Sequence, residues 1–382
     1  MKLLIITQKV DMSDPVLGFF HHWIEEFSKR YEKVAVIALG VGEYHLPENV
    51  KVLSLGKEKC LVIPALSRNP DPRSHIKCGM TDGLFIRLKY IFNFYKYIWS
   101  ERKNYDAVFV HMNQEYVLLG CFLWRFMAKT LFSERSPVPR SGIRGKKIWL
   151  WRNHPKGNLL TDLSIFLSNR VFCTSKYSYT AKFKKTEIMP VGIDTNLFKK
   201  RSEIKKILNS ILFLGRISPV KNIDLLIESL NILNKEDFSF NAVIVGDASE
   251  KDRQYYELIK NKVREYGLDK KINFRKAVTP KETPDLYNEY ELFVNLTLTG
   301  SMDKTIFEAM ACETPILTSN QSLKGFIDNV FIINENDVIW LASRIKEIIS
   351  LSDDKKNGLG KELRKFAVEN HSLEKLMEKI LK

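Results

Sequence analysis

The sequence predicts an α/β protein made of two parallel-sheet units. Three observations carry this. Short apolar runs alternate with longer helical patterns along both halves of the chain. A polar segment, Lys199–Lys206, separates the two alternating series. The length of 382 residues suits two or three domains.

The first series of strands is Leu3–Thr7, Lys33–Leu39, Val50–Leu53, Ala107–Val110, Lys147–Trp151, Val171–Thr174 and Thr186–Val191. The second is Ile211–Gly215, Phe240–Val245, Ile272–Phe274, Leu292–Asn295, Pro315–Thr318 and Val330–Ile333. An amphipathic helix, Leu359–Lys382, ends the pattern. Two segments interrupt it. Residues 68–76 and 135–143 share the pattern Arg-x-Pro-x-Pro-Arg-Ser-x-Ile. Prolines at that density forbid helix and central strand, so both read as surface inserts, spanning residues 60–83 and 133–145.

At 45% hydrophobic and 27% charged, the composition is that of a globular chain. No apolar run approaches transmembrane length. The N-terminal apolar run is too short for a signal peptide, so it reads as a first core strand. Five cysteines, at positions 60, 78, 121, 173 and 312, show no metal-ligand spacing. They read as reduced thiols of a cytoplasmic protein. The net charge of +15 is one-sided: residues 1–200 hold 32 of the 60 basic residues and 17 of the 45 acidic ones. A one-sided basic half suits an anionic surface nearby. The segment Ile86–Lys103 mixes Phe92, Tyr95 and Trp99 with Arg87, Lys89 and Lys96, as interfacial helices do.

The most informative stretch runs from Gly300 to Leu317. It follows a buried strand with a small-residue loop, then a helix, then Pro315. The first N–H groups of such a helix lack partners and carry partial positive charge, which makes an anion site. Lys304 adds a charge there. Glu308, one turn on, can accept from ligand hydroxyls. A phosphate beside a polyol is the guest this chemistry suits.

A second phosphate element follows the strand Ile211–Gly215. Arg216 and Lys221, five apart at a strand-to-helix turn, can reach one diphosphate. Val245, Gly246 and Asp247 form another strand-end turn. His111 follows Ala107–Val110, and His154 follows a similar strand. Both stand at the strand ends where α/β ligands bind. Arg152 and Lys156 could receive a charged acceptor. Gly18 opens the first helix, just ahead of His21 and His22.

These motifs resemble those of family 4 glycosyltransferases, retaining enzymes that use nucleotide sugars and have the GT-B fold. Their C-terminal signature has two glutamates separated by seven residues, the second followed by Ala-Met-Ala-Cys-Gly-x-Pro. Glu308 matches the second; Gly300 stands at the first, within the variant form Gly-Ser-x-Asp-Lys. In the usual form the first glutamate touches the donor sugar, and Asp303 is the nearest substitute here. Gly215, Arg216 and Lys221 match the family's Gly-Arg-x4-Lys.

The resemblance implies two Rossmann-like domains facing across a cleft, with residues 1–200 binding the acceptor and 201–360 the nucleotide sugar. The helix 361–382 would cross back to the N-terminal domain. His111, Arg216, Lys221 and Glu308 would be catalytic. Gly18, Gly215, Gly246, Gly300, Ser301, Asp303 and Lys304 would bind the donor, with Arg152 and His154 on the acceptor side. The expected partners are a nucleotide sugar and a glycan or lipid-linked acceptor, with no metal, no other cofactor and no nucleic acid. The protein would sit in the cytoplasm, against the inner face of an anionic membrane. A nucleotide-sugar epimerase or a catalytically silent relative is the alternative.

Overall fold

The computed structural model describes residues 1–60, 80–127, 145–297, 299–300, 302–334 and 337–382. Ser301 and both Arg-x-Pro segments lie outside the described residues. The chain forms two compact units. The first comprises Met1–Arg152, Lys156–Cys173 and Phe183–Glu187; the second comprises Asn153–Pro155, Thr174–Lys182 and Ile188–Lys382.

The first unit contains β1 (Lys2–Val10), α1 (Phe19–Arg30), β2 (Lys33–Val41), β3 (Val50–Ser54), α2 (Met80–Ser100), β4 (Ala107–His111), α3 (Glu115–Phe122), β5 (Lys147–Trp151), α4 (Leu159–Leu167) and β6 (Arg170–Cys173). With β7 (Thr186–Ile188), the strands form a sheet in the order β3-β2-β1-β4-β5-β6-β7. The pairs from β3 through β6 are parallel. Side chains alternate between its faces. Leu4, Ile6, Val108, Val110, Ile148 and Leu150 pack with Phe94 of α2, Val117 of α3 and Ile165 of α4. From α1, Trp23 meets Trp151 at 4.9 Å and Phe27 meets Phe109 at 5.4 Å between ring centres. Each fully buried side chain of this kind contributes about 1.5–3 kcal/mol. The order reverses between β1 and β4, which opens a crevice at their C-terminal ends.

The second unit repeats the scheme with β8 (Ser210–Leu214), α5 (Ile223–Lys235), β9 (Asn241–Val245), α6 (Arg253–Glu265), β10 (Ile272–Arg275), α7 (Thr283–Glu289), β11 (Leu292–Asn295), α8 (Lys304–Ala311) and β12 (Ile316–Thr318). The five strands are parallel in the order β10-β9-β8-β11-β12. Here the order reverses between β8 and β11. Helix α8 starts where the Asp303 carboxylate accepts from Thr305 N–H. It ends at Cys312, after which Glu313 takes a left-handed φ of 60° and Thr314 N–H bonds Ala309 O at 3.0 Å. Glycine usually fills that position.

Three expectations need correction. Val330–Ile333 is not a strand. Asp328 caps a 3₁₀ turn at Asn329–Phe331, leaving a single bridge from Ile332 to Thr318. The strand expected to reach Val191 stops at Ile188, two residues before Pro190, which has no N–H to give a ladder. The last helix is not continuous. After α9 (Val338–Ile349), α10 (Asp353–His371) ends, and Ser372 caps a separate α11 (Leu373–Leu381) by accepting from Lys375 N–H.

That break serves a purpose within the second unit. Gly192 and Ile193 donate to His371 O at 3.0 and 2.9 Å, and Leu373 donates back to Ile193 O at 2.8 Å. Val191 N–H donates to His371 Nδ1 at 3.3 Å. Burial lowers the His371 pKa to about 4, so the ring is neutral and able to accept.

Candidate functional site

The expected site residues fall into a group in each unit. In the second unit, Gly215 follows β8 with φ 152° and Gly246 follows β9 with φ 153°. A Cβ on Gly246 would overlap the Gly215 carbonyl oxygen. Gly246 is therefore required by backbone crowding. The close approach holds the turn that carries Arg216. Arg216 itself is exposed and pairs with no carboxylate among the described residues.

Lys221 lies in a 3₁₀ turn, Pro219–Lys221, closed by Asn222 in the left-handed region at φ 47°. Its ammonium forms an ion pair with Asp303 and donates to Thr297 Oγ1 at 3.0 Å. Asp303 also accepts from Asn295 Nδ2 and Thr297 Oγ1, both at 3.1 Å, and from Thr305 Oγ1 at 3.0 Å. Burial alone would raise the Asp303 pKa. The Lys221 charge and these donors overcome it and hold the carboxyl well below the usual carboxylate range. The carboxylate expected to stand in for the missing glutamate is thus engaged within the protein.

Gly300 has φ 151°, and a Cβ there would lie 3.0 Å from Pro155 Cβ. A larger residue there would strain the backbone and push Pro155 aside. Lys304, expected at the phosphate, donates to Val191 O at 2.8 Å and Gly192 O at 2.9 Å. Glu308, one helical turn on, accepts from Tyr287 OH at 3.1 Å. Burial pushes the Lys304 pKa down to about 7, against the attraction of Glu308. Burial also pushes Glu308 up to about 7, against the pull of Lys304. Glu308 can thus present either a donor or an acceptor to a hydroxyl near neutral pH. His154 is exposed, and its carbonyl accepts from Tyr179 N–H at 2.9 Å.

In the first unit, His111 ends β4 at the crevice with β1. Its Nδ1 lies 3.3 Å from Thr7 Oγ1, and its ring stacks on Phe20 at 4.1 Å between centres. These contacts fix the ring plane. Arg152 is buried, with Nη2 donating to Lys156 O at 2.8 Å. Gly18 has ordinary helical geometry, φ −57°, and its N–H bonds Asp14 O at 2.9 Å.

Among the described residues, one trio has metal-ligand atoms close together: His21, His22 and Glu25, all within 4.8 Å. His21 Nε2 accepts from His45 N–H at 3.1 Å. The proton of the neutral ring then lies on Nδ1, 3.4 Å from Glu25 Oε1. Both nitrogens of this buried ring are engaged, so the trio reads as a structural tie between α1 and the chain after β2.

Sequence reasoning missed Asn295, Thr297 and Tyr287. Asn295 ends an apolar strand with a polar side chain, which is a signal of a strand-end site. Tyr287 gave no signal; it meets Glu308 only through the packing of α7 on α8.

Residues 194–366 match the family model described as "Glycosyl transferases group 1". A stretch of 179 residues is 29% identical to Spore coat protein SA of Bacillus subtilis, covering 45% of this chain and 47% of that protein. Another of 221 residues is 27% identical to Alpha-monoglucosyldiacylglycerol synthase of Streptococcus pneumoniae, covering 56% of this chain and 47% of that one. The chain thus spans about half the length of these curated relatives. The crystal structure of Anabaena HepE in complex with UDP-glucose aligns over 100% of this chain and 98% of its own, with a TM-score of 0.71 at 15% identity. Sucrose-phosphate synthase from Thermosynechococcus elongatus aligns over 100% of this chain and 97% of its own, also with a TM-score of 0.71 at 15% identity. The fold is that of the GT-B glycosyltransferases. No helix among the described residues is long and apolar enough to cross a membrane.

Proposed function

We propose that the protein is a retaining glycosyltransferase of family 4. It moves a sugar from a nucleotide diphosphate sugar to a glycan or lipid-linked acceptor, in envelope polysaccharide or glycolipid synthesis. One observation carries the reading: two sequence motifs about eighty residues apart meet at the β8/β11 reversal, where Lys221 pairs with Asp303. Such a reversal is where open parallel sheets bind nucleotides. The HepE structure, similar in fold, holds UDP-glucose, and the Streptococcus relative is named as a glycolipid synthase.

In this reading the second unit takes the donor and the first takes the acceptor. Arg216 offers a guanidinium fork to the diphosphate. Lys221 shares its ammonium between Asp303 and the same anion. Together they stabilise charge on the departing diphosphate, in the role a metal fills in other transferases. Glu308 binds ribose hydroxyls. His111, with its ring plane fixed by Thr7 and Phe20, contacts the sugar. Arg152 of the first unit and His154 of the second serve the acceptor, and the basic first unit works at the inner face of an anionic membrane.

The test is a panel of nucleotide sugars screened by thermal stabilisation, then transfer to candidate acceptors with the product anomer read by NMR. Inversion at the anomeric carbon would refute retention. A second reading, a nucleotide-sugar epimerase or a catalytically silent relative, draws on Gly300 and on the engaged Asp303 carboxylate. Donor binding with no transfer and no hydrolysis would favour the silent form. Acceptor-independent sugar epimerisation would favour the epimerase.

A further inference from the structure

Helix α4 is turned the opposite way from an ordinary core helix. Inward it presents Thr161, Ser164 and Ile165, at most 1% exposed. Outward it presents Leu159 at 84%, Leu160 at 52%, Leu163 at 47% and Phe166 at 70% exposed. A helix that packs only on its own sheet places its leucines inward. The hydroxyls are satisfied inside: Ser164 Oγ donates to Leu160 O at 2.8 Å, and Ser168 Oγ to Ser164 O at 2.7 Å.

The neighbouring helices extend this surface. Helices α2, α3 and α4 cover the same face of the first sheet. Tyr95 OH donates to Leu119 O at 3.0 Å, which joins α2 to α3. Ser164 Oγ bonds Gln114 O at 3.2 Å, which joins α4 to the start of α3. On this layer's outer side Phe122 is 61% exposed, Phe92 69% and Trp99 42%. Clustering of this kind exceeds the scattered apolar residues of an ordinary surface. Arg87, Lys89, Lys96 and Lys103 are exposed on or just after α2.

We propose that the outer face of α2, α3 and α4 is a docking surface for an anionic bilayer. The α4 leucines and Phe166 enter the acyl boundary, and the α2 cations meet lipid phosphates. Charge complementarity selects this occupant. The whole +15 excess lies in residues 1–200, and a second copy would bring like cations together. The inference rests on the membrane-face reading above and adds the residues that insert.

The test uses the full chain and vesicles of phosphatidylcholine with or without phosphatidylglycerol. The variant Leu160→Ser/Leu163→Ser/Phe166→Ser removes apolar surface that is already exposed, so its melting temperature should hold. Its partition to anionic vesicles should fall by roughly tenfold or more, because the exposed parts of the three side chains together contribute more than the ~1.4 kcal/mol that tenfold requires. Binding that remains should be released at lower salt than for the wild type, since screening acts on the cations alone. Leu163→Trp/Phe166→Trp should bind like the wild type. A triple variant that binds like the wild type would overturn the inserting face while leaving charge-driven membrane association standing. A wild type that ignores anionic vesicles would overturn both. A wild-type dimer that the triple variant dissolves would assign the face to a second copy. Binding of uridine diphosphate, measured on the same proteins, reports separately on the donor reading.

Discussion

Lys221 and Asp303 form an ion pair between the turn after β8 and the cap of α8, with each side chain only 14% exposed. The pair joins the turn at residues 215–221 to the N-terminus of α8 within the protein itself. It also separates the roles of the two basic residues that the sequence presents as equivalents.

Lys221→Ala should therefore weaken folding as well as ligand binding. Removing Lys221 leaves the largely buried Asp303 without its counter-charge, though still hydrogen-bonded, at a cost of up to about 3 kcal/mol. Asp303 has a depressed pKa in the fold, so its stabilising contribution is full above the unfolded value of about 4 and is lost as pH falls below it. Asp303→Asn should flatten the acid limb of the stability curve below about pH 4. An unchanged limb in urea titrations across that range would remove the pair from the stability account.

Arg216→Ala should leave the melting temperature unchanged, because the side chain is exposed. Nucleoside diphosphate affinity should drop by about 1.5–3 kcal/mol, the worth of a charge-assisted contact. Calorimetry with uridine diphosphate decides this. Equal affinity in both proteins would place the diphosphate elsewhere.

Gly300→Glu, which installs the first glutamate of the family 4 pattern, should not raise activity. The position has φ 151°, and Pro155 stands 3.0 Å from the new Cβ. Strain of this kind costs on the order of 1–3 kcal/mol. Thermal melts should show a clear drop, and Pro155→Ala should recover only part of it. A Gly300→Glu protein that is both stable and faster would show that the loop can open.

Glu308→Gln should lower donor affinity by removing accepting capacity toward ribose hydroxyls. Its effect on stability should depend on pH. The folded pKa of about 7 lies above the unfolded value of about 4.3, so wild-type stability is lost as pH rises from about 4.3 through 7. The neutral amide escapes that loss, so the variant should gain on the wild type between about pH 5 and 8. Parallel stability curves over that span would show that Glu308 titrates normally.

Gly246→Ala should damage the site without touching a ligand. The added methyl meets the Gly215 carbonyl, so the turn bearing Arg216 must shift. A lower melting temperature together with weaker diphosphate binding is the expected result. Native binding in a destabilised variant would uncouple the turn from the ligand.

Much of the fold was legible because parallel strands are buried on both faces and write themselves as apolar runs. Leu3–Thr7, Ala107–Val110 and Ile211–Gly215 all lie at the expected places. The turns after β8 and β9 were legible because glycine is needed where the backbone crowds at strand ends. What escaped was direction. Lys304 points back to the Val191 and Gly192 carbonyls, and a one-dimensional pattern cannot tell inward from outward at a helix N-terminus. The reversed faces of α4 defeat periodicity for a different reason. Its leucines recur as in any amphipathic helix, and only the sheet shows which side is covered. The break at Ser372 was signalled by a capping residue, but the amphipathic pattern continued across it.

The stitching of residues 191–193 to His371 and Leu373 has a consequence for synthesis. The two partners lie 180 positions apart in the chain. At about 5–20 residues per second, a ribosome needs roughly 10–40 s to make that interval. During that time the opening stretch of the second unit exists without its backbone partners, and the Lys304 acceptors at Val191 and Gly192 are only half secured. The first unit's strands, β1 through β7, are complete by then. Nascent chains arrested shortly before His371 should therefore carry a protease-resistant first unit and a second unit that is still cleavable near Gly192. Lengthening the arrested chain with a C-terminal linker until His371 and Leu373 have left the exit tunnel should protect it.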